Sequence, residues 1–170
     1  MILLRLVVVF ALAASALTGC AGVPSNSGTH KDAYHLLVRP SEDERNEYGW
    51  ICEYSTVGMA PEQRLATLSL VQHRKVDLLR EALRGPNLEG RVYASDALLY
   101  LAELGRAELT GSDEEAIREL RHSDAEVRTC GNAGSYKIYL EPVREVLSDS
   151  AVARIPEMYE MLAESGYWRR

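Results

Sequence analysis

Apolar residues recur every three or four positions through the middle of this 170-residue chain, which is the spacing of helices that bury one face. Two successive faces follow Pro61, a residue that suits the first turn of a helix. Their members are Leu65, Leu68, Val71, Val76, Leu79 and Leu83. The segment Glu89–Leu104 has the strongest pattern, with apolar residues around much of the predicted helix. We therefore expect this helix at the centre of one mainly α domain.

Weaker signals extend the helical pattern on both sides. Ser112–Glu115 has the spacing of a capping box that opens a short helix. Ser41–Glu44 has the same spacing and predicts either a short acidic helix or a solvated segment. Alternating residues over 136–140 predict a short extended piece, and Pro142 and Pro156 each begin a further helix. The last helix is predicted to bury Ile155, Tyr159 and Leu162.

The turn before the central helix recurs once in the chain. Leu83–Arg91 aligns with Leu120–Arg128 at an offset of 37 residues, with a leucine, two arginines, a glutamate and an Asn/Asp position in common. Periods of this size are typical of helical-repeat solenoids. The shared pattern predicts a helix that ends on leucine, a tight turn, and a second helix opened by Glu-x-Arg. The alternative is a chance match between two ordinary helix–turn–helix joints.

This turn resembles the turn between the two helices of HEAT-like repeats. The resemblance implies that Asn87 and Asp124 cap the second helices, and that Arg91 and Arg128 tie neighbouring turns together. It also implies a small right-handed helical-repeat domain. Cys130 and the glycines after it interrupt the second unit, so an irregular helical domain with two degenerate repeats is the other expectation.

A short apolar run over 6–14 follows Arg5 at the N-terminus. It is shorter than the about 20 residues that a membrane-spanning helix needs, and small residues follow it, as in a secretory signal. Leu17-Thr18-Gly19-Cys20 resembles the lipobox of bacterial lipoproteins. The resemblance implies cleavage before Cys20, a diacylglycerol on its thiol, and an acyl chain such as palmitate on its new amino group. The alternatives are an uncleaved anchor and an ordinary signal that contains a chance cysteine.

The lipoprotein resemblance sets the expected domain organisation. It implies a signal peptide over 1–19, a lipidated tether over 20–30, and a single mainly helical domain over 31–170. Ala21 stands where family members held at the inner membrane often have aspartate. The family therefore implies the periplasmic face of the outer membrane if the cell is Gram-negative.

The chain has three cysteines, and lipidation of Cys20 would leave two of them. Cys52 and Cys130 then make an even pair in an oxidising compartment, which favours a disulfide over two separate buried thiols. Neither lies in a Cys-x-x-Cys arrangement, so a structural bridge is a better interpretation than a redox-active dithiol. No histidine or further cysteine stands at ligand spacing near either one, so we expect no metal site.

Charge and motifs narrow the classes of function. The chain has 19 basic and 25 acidic residues, a net charge of −6, without a basic stripe, so nucleic acid is a poor partner. Asp113–Glu115 is explained more simply as the charged first turn of a helix than as an acid–base cluster. No catalytic or cofactor motif is present, and we expect no cofactor. The histidines, none of which belongs to such a motif, are His30, His35, His73 and His122.

These observations favour a non-enzymatic envelope lipoprotein. It would be held at the membrane by lipid on Cys20 and would act through contacts between its helical domain and another envelope protein. The alternative is an envelope hydrolase whose acidic site is assembled by folding from scattered residues. A structural or stress-related lipoprotein without a dedicated partner is a third possibility.

Overall fold

The computed structural model of this protein describes residues 29–40, 42, 45–52, 58–130 and 137–167. This part of the chain is mainly α-helical, as predicted, with one two-stranded antiparallel sheet. The first five helices are α1 His30–Val38, α2 Glu62–Gln72, α3 Val76–Leu83, α4 Leu88–Glu103 and α5 Gly111–Arg121. The strands β1 Glu126–Cys130 and β2 Ile138–Pro142 follow, and then α6 Val143–Val146, α7 Asp149–Ala153 and α8 Ile155–Glu164.

Helix α4 lies at the centre of the described fold, as its all-round apolar pattern predicts. Eleven of its 16 residues are buried, and it contacts α1, α2, α3, α8 and β1. A Cβ at Gly90, in its first turn, would overlap the carbonyl group of Leu37. Glycine at this position therefore allows the end of α1 to rest against the start of α4.

The first of the two repeat-like turns has the predicted form. Asn87 is the N-cap of α4, and its Oδ1 accepts a hydrogen bond from the Gly90 N–H at 2.5 Å. Arg91 Nε donates to the Leu83 carbonyl at 3.1 Å, which ties α4 to the end of α3. Asn87 Nδ2 also donates to the Arg39 carbonyl at 2.9 Å. The turn thus provides hydrogen-bond partners for backbone groups at the ends of three helices, α1, α3 and α4.

The second repeat-like turn does not lead into a helix. The prediction is wrong there because Glu126–Cys130 forms β1. Asp124 therefore caps no helix, and Arg128 lies in a strand instead of tying two helical turns together. Val127 and Thr129 are both buried, and this alternation is the period of a strand that packs on one face. Both are β-branched, and such side chains fit a half-buried pleated surface better than a helix.

Strand β1 has a neighbour on each edge. It pairs antiparallel with β2, with Thr129 opposite Tyr139. On its other edge the Tyr48 N–H donates to the Arg128 carbonyl at 2.6 Å, and the Cys130 N–H donates to the Tyr48 carbonyl at 3.2 Å. The hairpin therefore holds the segment around Tyr48 against the helical core.

Helix α5 begins two residues before the position that the box at Ser112–Glu115 predicts. The capping box is formed by Thr110 and Asp113, whose side chains accept from each other's backbone N–H at 3.2 and 3.0 Å. Arg80 of α3 and Arg84, the C-cap residue of that helix, also donate to the Asp113 carboxylate, at 2.9 Å each. Burial by itself raises the pKa of Asp113, but these hydrogen bonds outweigh it and lower the pKa well below its usual range.

We expect Asp113→Asn to lower the free energy of unfolding by about 2 kcal/mol at pH 7, because it removes charge-assisted bonds to the cap and to two arginines. The folded-state pKa is depressed, so this stabilisation is present above the ordinary carboxyl pKa of about 4 and is lost progressively as the pH falls below it. Urea unfolding of both proteins at pH 7 and pH 3 measures the difference, which should narrow at pH 3.

Asp77→Asn is the matched control for this prediction. Asp77 also pairs with Arg80, at 3.5 Å, but its side chain is 93% exposed. An exposed pair of this kind contributes little, so the control should unfold like the wild type at both pH values. A gap between Asp113→Asn and the wild type that stays constant from pH 7 to pH 3 would contradict the role of the ionised carboxylate.

The C-terminal elements match their predictions apart from α7, a short helix that the sequence pattern did not indicate. Strand β2 overlaps the extended piece predicted over 136–140, and α6 begins directly after Pro142. Ile155, Tyr159 and Leu162 are the buried residues of α8. Their common face packs the last helix against α4.

Several predictions fall outside the part of the chain that the structure describes. They concern the signal peptide over 1–19, the lipobox with Cys20, and most of the Ser41–Glu44 stretch. Within the described ranges, no helix combines the length and the apolar character that crossing a membrane requires.

Candidate functional site

An ion pair between Arg64 of α2 and Asp96 of α4 lies in the middle of the core, and neither side chain has exposed surface. Two parallel hydrogen bonds join the groups, from Nη1 to Oδ1 at 3.0 Å and from Nη2 to Oδ2 at 2.8 Å. Removing two charges from water costs free energy unless their remaining donors and acceptors also find partners. Whether the buried pair stabilises the fold therefore depends on the hydrogen-bond partners around it.

Arg64 also donates two hydrogen bonds outside the ion pair. Its Nε donates to the Gly49 carbonyl at 3.1 Å, and Nη1 also donates to the Tyr159 hydroxyl at 3.3 Å. The guanidinium faces four aromatic rings, whose electron-rich faces attract a cation. The distances from Cζ to the ring centroids are 3.6 Å for Trp50, 4.5 Å for Tyr93, 5.5 Å for Tyr48 and 5.6 Å for Tyr159. We call these six residues, Arg64, Asp96 and the four aromatic residues, the arginine cluster.

Two tyrosines complete the environment of the carboxylate. Tyr48 donates its hydroxyl proton to Asp96 Oδ2 at 3.1 Å, and Tyr159 donates to Oδ1 at 2.6 Å. Each carboxylate oxygen thus accepts one bond from the guanidinium and one from a hydroxyl. The carboxylate is therefore fully hydrogen-bonded, which offsets the cost of burying its charge.

A third tyrosine binds the backbone that covers the cluster. The Tyr93 hydroxyl donates to the Glu47 carbonyl at 2.9 Å and accepts from the Gly49 N–H at 2.9 Å. The segment 46–52, which we call the cover segment, has little secondary structure of its own. Side chains from α2 and α4 hold it in place instead.

The pKa values of Arg64 and of the tyrosines around it are raised above their usual ranges. Burial raises the pKa of Tyr48 and of Tyr159 well above its usual value, and the negative charge of Asp96 raises both further. Burial acts to lower the pKa of Arg64, but attraction to Asp96 outweighs it and the pKa is raised. The tyrosines therefore remain neutral donors and the arginine remains charged. The buried polar groups of the cluster are bonded to one another and to the cover segment, so their role is to position that segment.

A cleft of about 410 Å³ opens beside the cluster, on the other side of the cover segment. Two carboxylates, Glu141 and Glu145, line it, and no basic residue of the described chain does. The full lining consists of Tyr48, Gly49, Trp50, Thr129, Cys130, Tyr139, Glu141, Glu145, Val146 and Ala151. Its acidic and aromatic character suits a ligand that is positively charged, with some apolar surface.

The predicted disulfide is present, and one of its cysteines, Cys130, lines this cleft. Cys52 of the cover segment is bonded to Cys130 of β1, with the two Cα atoms 5.4 Å apart and a sequence separation of 78. A Cβ at Gly49 would overlap the Cys130 Sγ, so the segment can pass the bridge only with glycine there. The bridge and the arginine cluster thus fix the same segment from opposite sides.

The histidines and the acidic run stay apart from the cleft. The rings of His30 and His73 contact each other, with centroids 4.4 Å apart, at the start of α1 and the end of α2. His122 Nδ1 is bonded to the Arg118 carbonyl at the end of α5. Asp113–Glu115 belongs to the first turns of α5, as predicted. None of these residues lines the cleft.

The arginine cluster was not predicted from the sequence, although one of its residues stands in an unusual place. Asp96 stands between Tyr93 and Ala97 on a helix expected to be buried, and a charge in that place requires a partner. The partner, Arg64, lies 32 residues earlier in the chain. Helical spacing relates residues three or four apart, so it cannot indicate that pair.

Known proteins supply no further constraint on the function. Comparison with protein-family models, with curated proteins and with solved structures finds no match to this chain. Among the residues that the structure describes, no three His, Cys, Asp or Glu side chains are grouped so that they could hold a metal ion. The function must therefore be inferred from the chain itself.

Proposed function

We propose that this protein is a non-enzymatic lipoprotein of the bacterial cell envelope that acts through protein contacts of its helical domain. The observation that carries the proposal is Leu17-Thr18-Gly19-Cys20, placed after Arg5 and a short apolar run. Acyl chains on Cys20 would anchor the domain, since each buried methylene contributes about 0.8 kcal/mol and several chains hold a protein stably. Ala21 favours the periplasmic face of the outer membrane in a Gram-negative cell.

The described domain is compatible with attachment of this kind. The small and polar residues 21–28 precede a helix, α1, that opens with a capping box between Thr29 and Asp32. The disulfide between Cys52 and Cys130 also supports export, because such bonds persist in oxidising compartments and are rare in the cytosol.

A role in binding fits the distribution of charged groups better than catalysis. In the buried ion pair of Arg64 and Asp96, the carboxylate is fully hydrogen-bonded and neither side chain is exposed to solvent. Asp113 is engaged by a helix cap and two arginines. The exposed faces of α3 and α5, which pack side by side, would be the helical surfaces offered to a protein partner.

Labelling with a radioactive or clickable palmitate analogue tests the lipid anchor. We expect the wild-type chain to incorporate the label and Cys20→Ser to lose it completely, because the acylated atoms belong to that cysteine. Cys52→Ser and Cys130→Ser are the matched controls, and both should keep the label. Equal labelling of the wild type and Cys20→Ser would refute the lipoprotein proposal.

An envelope hydrolase is the second candidate, because Glu141 and Glu145 both line the cleft. Paired carboxylates in a cleft can act as general acid and base. Incubating the purified protein with isolated cell-wall material distinguishes the two functions. Release of soluble fragments that disappears in Glu141→Gln and Glu145→Gln would establish the hydrolase, whereas our proposal expects no release.

Capture of cross-linked envelope complexes separates the binding role from a lipoprotein without a dedicated partner. The leading proposal expects a defined envelope protein to be recovered with the wild-type chain. Recovery of nothing beyond abundant envelope proteins would favour the purely structural role.

A further inference from the structure

The outer edge of β2 is open in the described part of the chain. In a strand, the N–H and C=O of successive residues point alternately to the two neighbouring sides. In β1, the backbone groups of Arg128 and Cys130 point towards Tyr48. The backbone groups of Thr129, between them, therefore point the other way, towards its β2 partner Tyr139. The groups of Ile138 and Leu140 must then point away from β1. No described residue forms a hydrogen bond with them on that side.

The side chains along this edge are unusually exposed for their type. Leu140 is 61% exposed and Tyr139 is 42% exposed. Open edges with exposed apolar side chains are templates for another strand, and proteins usually protect them with charges, proline or a covering element. Pro142 ends β2, but nothing among the described residues covers its middle.

The residues along this edge are complementary to the same residues of a second, antiparallel copy. The five residues are Lys137, Ile138, Tyr139, Leu140 and Glu141. If two copies of this segment run antiparallel with Tyr139 at the centre, Lys137 faces Glu141 of the second copy, and Ile138 faces Leu140 of the second copy. Each pair occurs twice, as two-fold symmetry requires.

We propose that β2 pairs with β2 of a second copy of this chain, forming a four-stranded sheet of order β1-β2-β2-β1 across a two-fold axis. This interface goes beyond the proposed function, and it stands whether or not Cys20 is lipidated. The register follows from the geometry. Ile138 and Leu140 of opposite copies, whose backbone groups point outwards, form the hydrogen-bonded pairs. Tyr139 and the charged residues form the pairs without backbone bonds, in which side chains lie closest.

The cleft supplies a second argument for this occupant. In the sheet, Tyr139 and Glu141 lie on the face that lines the cleft together with Thr129. Lys137 of the second copy, opposite Glu141, would lie on that same face. It would bring a positive charge to a cleft lined by Glu141 and Glu145 and by no basic residue of the described chain. Lys137 is exposed and has no described ion-pair partner within its own chain.

The proposed pairing joins two copies and leaves no place for a third copy in the sheet. After pairing, the strands at the outside of the four-stranded sheet are the two copies of β1. Their outer edges are already bonded to Tyr48. Among the described residues, Tyr48 thus occupies the outer edge of β1 at Arg128 and Cys130, so the pairing produces a dimer and not a fibre.

Cysteine cross-linking in the full-length protein, in intact cells, tests the interface and its register. In the proposed register the Tyr139 Cα atoms of the two copies lie about 4.5 Å apart, which a disulfide can span. Leu140 lies more than about 8 Å from Leu140 of the second copy, which is too far. We expect Tyr139→Cys to give a dimer of twice the mass on a non-reducing gel after mild oxidation, and Leu140→Cys to remain monomeric. The wild type, oxidised in the same way, is the control, because any dimer that it gives on the gel would come from Cys20.

A charge exchange tests the complementarity along the edge. Lys137→Glu places like charges opposite each other at two symmetric positions, and we expect it to weaken dimerisation on the order of tenfold. Glu141→Lys should do the same. The double variant Lys137→Glu/Glu141→Lys restores both pairs and should recover the wild-type yield of the Tyr139→Cys cross-link.

Three results would overturn the proposal. The first is a Tyr139→Cys chain that stays monomeric while its thermal unfolding midpoint matches the wild type. The second is efficient cross-linking of Leu140→Cys without Tyr139→Cys, which would place the copies in another register. The third is an adduct in which mass spectrometry identifies a different protein. If a cysteine variant fails to fold, sedimentation of the detergent-solubilised wild type decides the matter, and a monomer overturns the proposal.

Discussion

Replacing Asp96 by asparagine is expected to lower the free energy of unfolding by about 3–5 kcal/mol, the usual cost of removing one partner from a buried ion pair. The variant would leave the Arg64 guanidinium enclosed by aromatic rings without its counter-charge. It would also deprive the hydroxyls of Tyr48 and Tyr159 of a charged acceptor. Because a domain of this size is stable by only about 5–15 kcal/mol, the loss should be plain in urea unfolding followed by circular dichroism.

Two further proteins show whether the effect arises from the buried charge. Asp149→Asn removes a carboxylate that pairs with Arg121 at the surface and is 99% exposed, and it should change stability by less than about 0.5 kcal/mol. Arg64→Met/Asp96→Leu removes both charges and should be less destabilised than Asp96→Asn, because no unpaired charge stays buried. A loss below about 1 kcal/mol in Asp96→Asn would contradict the central role of the pair.

Breaking the bond between Cys52 and Cys130 is expected to have an effect of similar size. The two cysteines are 78 residues apart, and closing a loop of that length restricts the unfolded chain by about 4 kcal/mol in the chain-entropy model. We expect the variant Cys52→Ser/Cys130→Ser to lose about that amount in urea unfolding.

Addition of a reductant provides the internal control for the disulfide. The reduced wild type should unfold close to the double serine variant, whereas the reductant should leave that variant unchanged. Mass analysis of the unreduced wild type, before and after alkylation, counts its free thiols. Two alkylated cysteines at 52 and 130 in the unreduced protein would show that the bridge is absent.

The two predictions concern one structural unit. The arginine cluster holds the cover segment from the core side, through Tyr93 and Arg64. The disulfide holds it from the sheet side, at Cys130. Since the cover segment forms a wall of the cleft, loss of either attachment should alter the cleft and the nearby strands as well as the overall stability.

Local patterns in the sequence indicated most of the helices correctly. The apolar face of α8 and the position of α4 follow from helical spacing, which relates neighbours three or four residues apart. Asn87 as the cap of α4 and the pairing of Cys52 with Cys130 also follow from residue type and number. Each of these inferences depends only on residues close together in sequence or on the number of cysteines. The lipobox at Cys20 is local too, and it stays a prediction until labelling tests it.

The errors occurred where distant residues compete with a local preference. Glu126-Val127-Arg128 has the spacing of a helix start, and the match to the earlier turn strengthened that prediction. In the structure, β2 and the segment at Tyr48 both supply backbone partners for the same residues. A strand depends on partners elsewhere in the chain, so its formation cannot be inferred from its own few residues.

By itself, then, the sequence determined a mainly α domain around α4, the cap at Asn87 and the two cysteines available for a bridge. Only the tertiary structure decided that Arg64 meets Asp96, that β1 and β2 form a sheet, and that Lys137–Glu141 is left as an open edge. The physical reason is the range of the interactions. Helix periodicity and capping act within about one turn of the chain, whereas a buried ion pair and a strand edge exist only when residues far apart in sequence are packed together.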